Sequence, residues 1–354
     1  LGAGKRPTDC PAGARRSSVR VVQDLAQLDA IDVPRSVVAL GMFDGVHLGH
    51  QEILRRCVVR AKRCGARAVA FTFDKHPLQV IRPQLAPALL TDTGDKLALI
   101  EATGVELAVV ARFDEAFARA TPEEFVREVL VDRLRATAAV VGFNYTFGWR
   151  ARGTATVLAE LGQKYGFDVE IAQPVSVGGV PVGSTEIRAR LARGDVAGAR
   201  AMLGRPFSVK GAVVPGEGRG RTLGYPTANI GIGSTMAVPA RGVYAVLAEV
   251  RGGCFQAVAN VGVRPTFDGR VTGIEVFVMD FAGNLYGETM RVSFIERLRD
   301  EMRFSSPLAL ASQIANDVKN ARKVLSSFHM GNTDDRTMAA AAGASVNGDK
   351  TAPS

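Results

Sequence analysis

Leu40-Gly41-Met42-Phe43-Asp44-Gly45-Val46-His47-Leu48-Gly49-His50 is the stretch whose reading decides the fold. The apolar run Ser36 to Leu40 before it reads as a buried parallel strand and the segment after His50 as a helix, so glycines and histidines occupy the turn between them. Gly41, Gly45 and Gly49 let the backbone bend sharply and approach a ligand. The first helical turn offers unpaired N–H groups, and His47 and His50 add donors, so a nucleotide phosphate suits this turn. The competing reading is an ordinary pair of histidines beside a strand-helix turn; the glycines weigh against it. Zinc fits less well, because the chain has only 4 histidines and no cysteine close enough in sequence to complete a tetrahedral set.

With 354 residues the chain is long enough for two domains, and 47% apolar residues exclude global disorder. No apolar run approaches a membrane span and no signal-peptide h-region stands near the start, so a soluble protein with no membrane partner is expected. Cys10, Cys57, Cys64 and Cys254 show no metal spacing, and Cys57 and Cys64 lie roughly 10 Å apart on a helix, too far for a disulfide. A reducing cytoplasm fits best. The net charge of +9 suits phosphorylated ligands. It would suit nucleic acid too, but the basic residues are scattered and aromatics are only 6%, which argues against that partner.

Residues 1–18 read as a flexible arm, and Val19 to Ile31 as a first strand or short helix. After His50, Ile53, Leu54, Cys57, Val58 and Ala61 share one helical face, and Arg55, Arg56, Arg60, Lys62 and Arg63 form a solvated basic face. Strands follow at Ala66–Phe73, Glu106–Val110, Ala138–Val141 and Asp168–Ala172, with helices at Gly94–Ala102, Pro122–Leu134 and from Gly153 onward. This alternation predicts an α/β fold with a doubly wound parallel sheet. Thr121-Pro122-Glu123-Glu124 is a strong helix start.

Ligands of such sheets lie beyond the strands' carboxyl ends, which brings Phe73 to Pro77, with His76, beside the first motif. Gly142 to Gly148, with Asn144 and Phe147, either stacks on a planar ring or is simply a packed loop. Ser184 and Thr185 precede a helix and either cap it or meet a ligand, while Arg188 can hold phosphate oxygens bidentately.

The pattern changes near Leu203 to Phe207. Short β runs at Phe207–Val214, Gly242–Val250, Cys254–Val261, Gly273–Asp280 and Met290–Arg299 predict a small antiparallel barrel, closed by a helix over Pro307–Leu325. The expected division is 19–203 and 204–327, with a disordered tail at 328–354. Thr227 and Asn229, behind a glycine-rich loop, are hard oxygen donors suited to magnesium. Glu275 is an acidic residue in an apolar strand; Ile274, Val276 and Val278 leave either face open to it.

Several of these stretches, in order, resemble the bacterial bifunctional FAD synthetases, which join a riboflavin kinase to an FMN adenylyltransferase. The opening turn resembles their GxFDGxHxGH signature, and Gly183-Ser184-Thr185-Glu186-Ile187-Arg188 their SSTxIR motif with Gly183 for the first serine. Gly216 to Asn229 resembles the flavokinase phosphate loop and PTAN motif, with Tyr225 where Phe is common. Asn260 to Phe267, Ile274 to Asp280 and Phe294 to Phe304 complete a likeness spanning roughly residues 19–327. HxGH alone is shared with class I aminoacyl-tRNA synthetases and other nucleotidyltransferases. Where Asn144 stands, the family usually has Asp.

The resemblance implies two reactions, ATP with riboflavin giving FMN, then ATP with FMN giving FAD and pyrophosphate, with Mg²⁺ as cofactor, small molecules as partners and no obligate protein partner. It implies Glu275 as the kinase base, and His47, His50 and Arg188 as the groups that neutralise charge during adenylyl transfer. It assigns ATP and phosphate contacts to Gly41, Phe43, Asp44, Gly45, Gly49, Ser184 and Thr185, and in the barrel to Gly216, Gly220, Arg221, Thr222 and Gly224. Phe73, His76, Pro77, Asn144 and Phe147 would meet flavin, and Thr227 and Asn229 the metal. A flavin-binding regulator that keeps the folds is the first rival reading. An NAD-dependent oxidoreductase is the second, opposed by the lack of GxGxxG.

Overall fold

A computed structural model of the protein describes residues 19–31, 33–216, 220, 224–266 and 269–328. The expected arm with Cys10, the loop residues Arg221 and Thr222, and the tail from 329 lie outside the described residues.

The segment Val19 to Ile31 holds both a strand, β1 (Arg20–Val22), and a 3₁₀ turn over Leu25–Ala30 whose cap is Asp24. Strand β2 (Ser36–Leu40) is wholly buried, as its unbroken apolar run requires. Helix α1 (Leu48–Cys64) ends at Gly65, whose φ of 61° is the left-handed cap conformation. It buries Ile53, Leu54, Cys57, Val58 and Ala61 against the sheet. Its basic face is less solvated than expected: Arg56 pairs with Glu52 and Glu170, and Arg60 with Asp168.

Next come β3 (Arg67–Phe73), α2 (Thr93–Glu101), β4 (Leu107–Ala111), β5 (Ala136–Gly142), α3 (Ala155–Tyr165) and β6 (Asp168–Ala172). The strands form one parallel sheet in the order β1-β4-β3-β2-β5-β6. The chain reverses its winding at β2, which has β3 on one side and β5 on the other, so the histidine turn leaves the sheet at its switch point. The capping box Thr121–Glu124 starts a helix as predicted, but only Pro122–Phe125 is α-helical and Val126–Arg133 continues as a π-helix. Gly153 and Thr154 pair with Thr146 and Phe147 in a small hairpin, so α3 starts two residues later than expected.

Helices α4 (Ser184–Ala192) and α5 (Val196–Leu203) lead into the barrel. Its strands are β7 (Phe207–Val214), β8 (Ala228–Gly231), β9 (Gly242–Val250), β10 (Gly253–Thr266), β11 (Gly269–Val278) and β12 (Thr289–Arg299), closed in the order β7-β8-β11-β10-β9-β12. Five strands were expected; the sixth, β8, is four residues long and follows a proline, too short to show a period. Ala228, Ile230, Ile274, Val276, Val278, Ala257, Ala259 and Val261 fill the interior. Helix α6 (Pro307–Ser327) covers part of the outer wall through Ala321 and Leu325, against Val243, Ala245, Val258, Met279 and Ile295. Phe328, expected in the tail, packs beside this cluster with the Arg200 guanidinium 5.0 Å over its ring.

The two domains are joined by more than the chain. Ile187, Leu191, Val196, Ala199, Met202 and Leu203 of α4 and α5 share the barrel's core cluster, together with Leu90. Leu89 exchanges hydrogen bonds with Thr235 (2.7 Å) and Ala237 (2.8 Å). On α2, Asp95 accepts both Arg291 N–H groups at 2.6 and 2.7 Å and pairs with Lys210 at 3.0 Å. The segment 89–96 therefore touches the barrel on one side and the histidine turn on the other.

Candidate active sites

A cavity of about 1560 Å³ opens beyond the carboxyl ends of the parallel strands. Gly41, Asp44, His47, Gly49, His50, Phe73, His76, Pro77, Asn144, Phe147, Ser184, Thr185 and Arg188 all line it. Two residues expected to touch phosphate are not among those lining the cavity: Phe43 is fully buried with φ 50°, and its ring stands edge-on to His50 at 5.3 Å. Gly45, with φ 80°, turns the chain where a Cβ would come within 2.8 Å of the Leu90 side chain. Both shape the turn from behind instead of lining it.

Asp44 is buried and already engaged. Its carboxylate accepts the N–H groups of Leu90 (2.9 Å) and Thr91 (3.2 Å) and the Arg188 Nη2 donor at 2.5 Å. Arg188 also donates through Nε to the Ala88 carbonyl at 2.6 Å, which leaves Nη1 without a protein hydrogen bond among the described residues. Ser184 is the first residue of α4, not its cap; Gly183 holds the cap position and the Ser184 hydroxyl donates to the Asp44 carbonyl at 3.0 Å. Thus residues 140 and more apart in sequence converge on the one loop.

The imidazoles of His47 and His50 stack, with ring centroids 3.6 Å apart and 17° between planes. His47 caps α1: its Nδ1 accepts the His50 N–H at 3.3 Å, so the ring's own proton belongs on Nε2. Burial, reinforced by the Arg205 and Arg188 charges, pushes His47 down to about 4. Burial likewise lowers His50, with His47 and Lys96 adding to it. His50 Nδ1 is buried and has no hydrogen-bond partner among the described residues. The pair is therefore uncharged near neutral pH, with a proton on one ring nitrogen of each.

In a pH titration by NMR, the His47 ring should therefore keep its neutral signals from pH 8 down to about 5; a midpoint near the ordinary 6.5 would refute this. Because the unfolded chain takes up this proton first, His47 costs the fold stability as pH drops from about 6.5 towards 4.

The apolar side of the cavity is aromatic. Phe73 meets Phe113 and Phe117 edge-on at 5.0 and 5.3 Å, and Tyr145 stacks on Phe147 at 5.5 Å. His76 is half-buried and caps the next turn through Nδ1, which accepts the Leu78 N–H at 3.2 Å; burial, then Arg188, lowers it. Asn144 is exposed at the cavity edge.

Sequence reasoning missed Trp149, Arg205 and Lys96. The Trp149 ring lies under the guanidinium groups of Arg150 (4.5 Å) and Arg152 (4.9 Å), and Trp149 and Arg150 line the cavity. Arg205 donates to the Gly45 (2.7 Å) and Val46 (3.3 Å) carbonyls, closing the turn from the domain junction, and its burial brings it down to about 10. Lys96 is buried on α2; its i, i+4 spacing with buried Ile100 is the signal that could have revealed it.

In the barrel, register puts Asn229 opposite Glu275 and Glu275 opposite Asn260. Their neighbours Ala228, Ile230, Ile274, Val276, Ala259 and Val261 point inward, so the three polar residues share the outer face. Gly216 lies against them: a Cβ there would fall 1.8 Å from Asn229 Nδ2. The Tyr225 N–H donates to the Gly220 carbonyl at 2.8 Å, and Gly224 has φ 82°. Beside it a cavity of about 270 Å³ is lined by Thr227, Pro226, Val276 and the 281–286 loop.

A parallel sheet with a histidine turn at its switch point, joined to a closed barrel with Asn229, Glu275 and Asn260 on its outer face, is the architecture of a two-domain nucleotide-handling enzyme. The family model for FAD synthetase matches residues 30–186 and that for riboflavin kinase residues 203–325. A bifunctional riboflavin kinase/FMN adenylyltransferase from Bacillus subtilis is 37% identical over 299 residues, covering 83% of this chain and 94% of that protein. The protein of the same description from Escherichia coli K12 is 35% identical over 308 residues, 86% of this chain and 97% of its own length. A crystal structure from Streptococcus pneumoniae, described as a macrolide-efflux protein, superposes with a TM-score of 0.77 at 33% identity, covering 88% of this chain and all of that one. This chain belongs to the bifunctional riboflavin kinase/FMN adenylyltransferase family, and it converts riboflavin to FMN and FMN to FAD.

Proposed function

We propose that FMN is adenylylated in the parallel-sheet cavity and riboflavin is phosphorylated on the outer face of the barrel, with the division of labour at 19–203 and 204–327. The observation that carries this reading is one cavity lined by His47, His50, Arg188, Phe73 and Phe147. Adenylyl transfer joins two anions, so its site must align them and neutralise charge. The FMN phosphate oxygen attacks the α-phosphorus of ATP and pyrophosphate leaves. His47 Nε2–H, His50 and Arg188 Nη1 are uncommitted donors for these oxygens. The aromatic wall suits the isoalloxazine ring, with Asn144 at its edge.

In the barrel, the ribityl hydroxyl must lose its proton as it attacks the γ-phosphorus. Glu275 is the base, on a face it shares with Asn229 and Asn260. The Thr227 hydroxyl and Asn229 amide oxygen fit a hard cation, and Mg²⁺ held there would neutralise phosphate charge. ATP chemistry and the lack of a disulfide at Cys57 and Cys64 among the described residues support a cytoplasmic setting.

The test is product analysis. Riboflavin with ATP and Mg²⁺ should give FMN, FAD and pyrophosphate, and FMN with ATP and Mg²⁺ should give FAD and pyrophosphate. Failure to convert either flavin overturns the assignment of both sites.

A further inference from the structure

Lys96 is 6% exposed, yet its ammonium makes hydrogen bonds only to uncharged groups, the Phe73 carbonyl at 2.7 Å and the Thr72 hydroxyl at 3.3 Å. Among the described residues it forms no ion pair. Burying an ammonium this way is costly, and such groups concentrate where charge is used. The Thr72 hydroxyl passes the contact on, donating to the Met42 carbonyl at 2.9 Å. Lys96 thus stands behind the wall that Met42, Asp44, His50 and Phe73 present to the large cavity.

We propose that Lys96 is a positioning residue for adenylyl transfer: it ties α2 to the ends of β2 and β3 and sets a fixed positive charge behind His50, facing the phosphates across that wall. The inference rests on the adenylyl-transfer reading of the cavity. The carboxylates that act on it are Asp44 from the turn after β2 and Asp74 after β3, and its charge in turn lowers the titratable His50 on α1. Its neighbours on α2 face elsewhere, since Asp95 is taken up by Arg291 and Lys210 and Asp92 caps the helix. Burial outweighs the two carboxylates and brings Lys96 down to about 8, so the ammonium is present below that pH and is lost above it. An anion in the cavity would hold the proton on. The alkaline limb therefore belongs to the free enzyme, and it appears in kcat/KM and not in kcat.

The experiment follows FMN adenylylation from pH 6.5 to 9.5 in the full chain, in Lys96→Met, Lys96→Arg and, alongside, His50→Ala. Wild-type kcat/KM should fall as pH rises through about 8. Lys96→Met should lose at least about tenfold in kcat at neutral pH and lose the alkaline limb, while riboflavin phosphorylation and the melting temperature stay unchanged. Lys96→Arg stays charged throughout and should keep most of the rate without the limb. If Lys96→Met keeps both the rate and the limb, or if both activities fall together with the melting temperature, the charge has no such role. Should Lys96→Met not fold, persistence of the limb in Lys96→Arg overturns the proposal by itself. Loss of adenylylation in His50→Ala beside unaltered Lys96 variants would sink this inference alone; an active His50→Ala would sink the reading it rests on.

Discussion

Glu275→Gln should abolish phosphorylation of riboflavin and leave the adenylylation of supplied FMN at the wild-type rate. The substitution keeps size and hydrogen-bonding reach but removes the ability to take a proton. A general base contributes about 10² to 10⁴ in rate, so the loss should bring turnover to the edge of detection. The barrel should tolerate the change, because Ile274, Val276 and Val278 carry the buried face of β11 and Glu275 stands on the other. Product chromatography with riboflavin and with FMN separates the two activities. Retained FMN formation would show that another group accepts the ribityl proton.

His50→Ala should slow FAD formation by about 10² to 10³ and spare FMN formation. The reasoning is geometric: His50 stacks on His47 at 3.6 Å, is braced edge-on by Phe43, and lines the cavity from the first turn of α1. Burial keeps both rings neutral, so the loss is of a placed N–H donor and not of a titrating acid. Steady-state rates with FMN and with riboflavin, read beside the melting temperature, distinguish this from general damage. Equal loss of both activities in a stably folded variant would refute separate sites.

Much of this was legible in residues close together in sequence. The run Ser36–Leu40, the glycine turn and the apolar face of α1 predicted a strand, a bend and a helix, and those are local matters of period and turn chemistry. The Thr121–Glu124 capping box is equally local. Strand β8 escaped because four residues show no period, and the π-helical course of Val126–Arg133 leaves no pattern in the side chains. Phe43 and Gly45 share a motif with His47, yet burial and close packing set them behind the turn, outside the cavity lining, and no local pattern shows that.

The sequence by itself determined two folds, the turn that would hold phosphates and the residue types able to move an adenylyl or a phosphoryl group. Only the tertiary structure decided which face Glu275 occupies, that Asp44 is spent on Leu90, Thr91 and Arg188, that both histidines stay uncharged, and that Lys96 is a buried cation beside them. The physical reason is that charge state and exposure depend on what surrounds a side chain. Here the surroundings come from segments up to 196 residues away along the chain, brought together by the parallel sheet and by the barrel docked on α2.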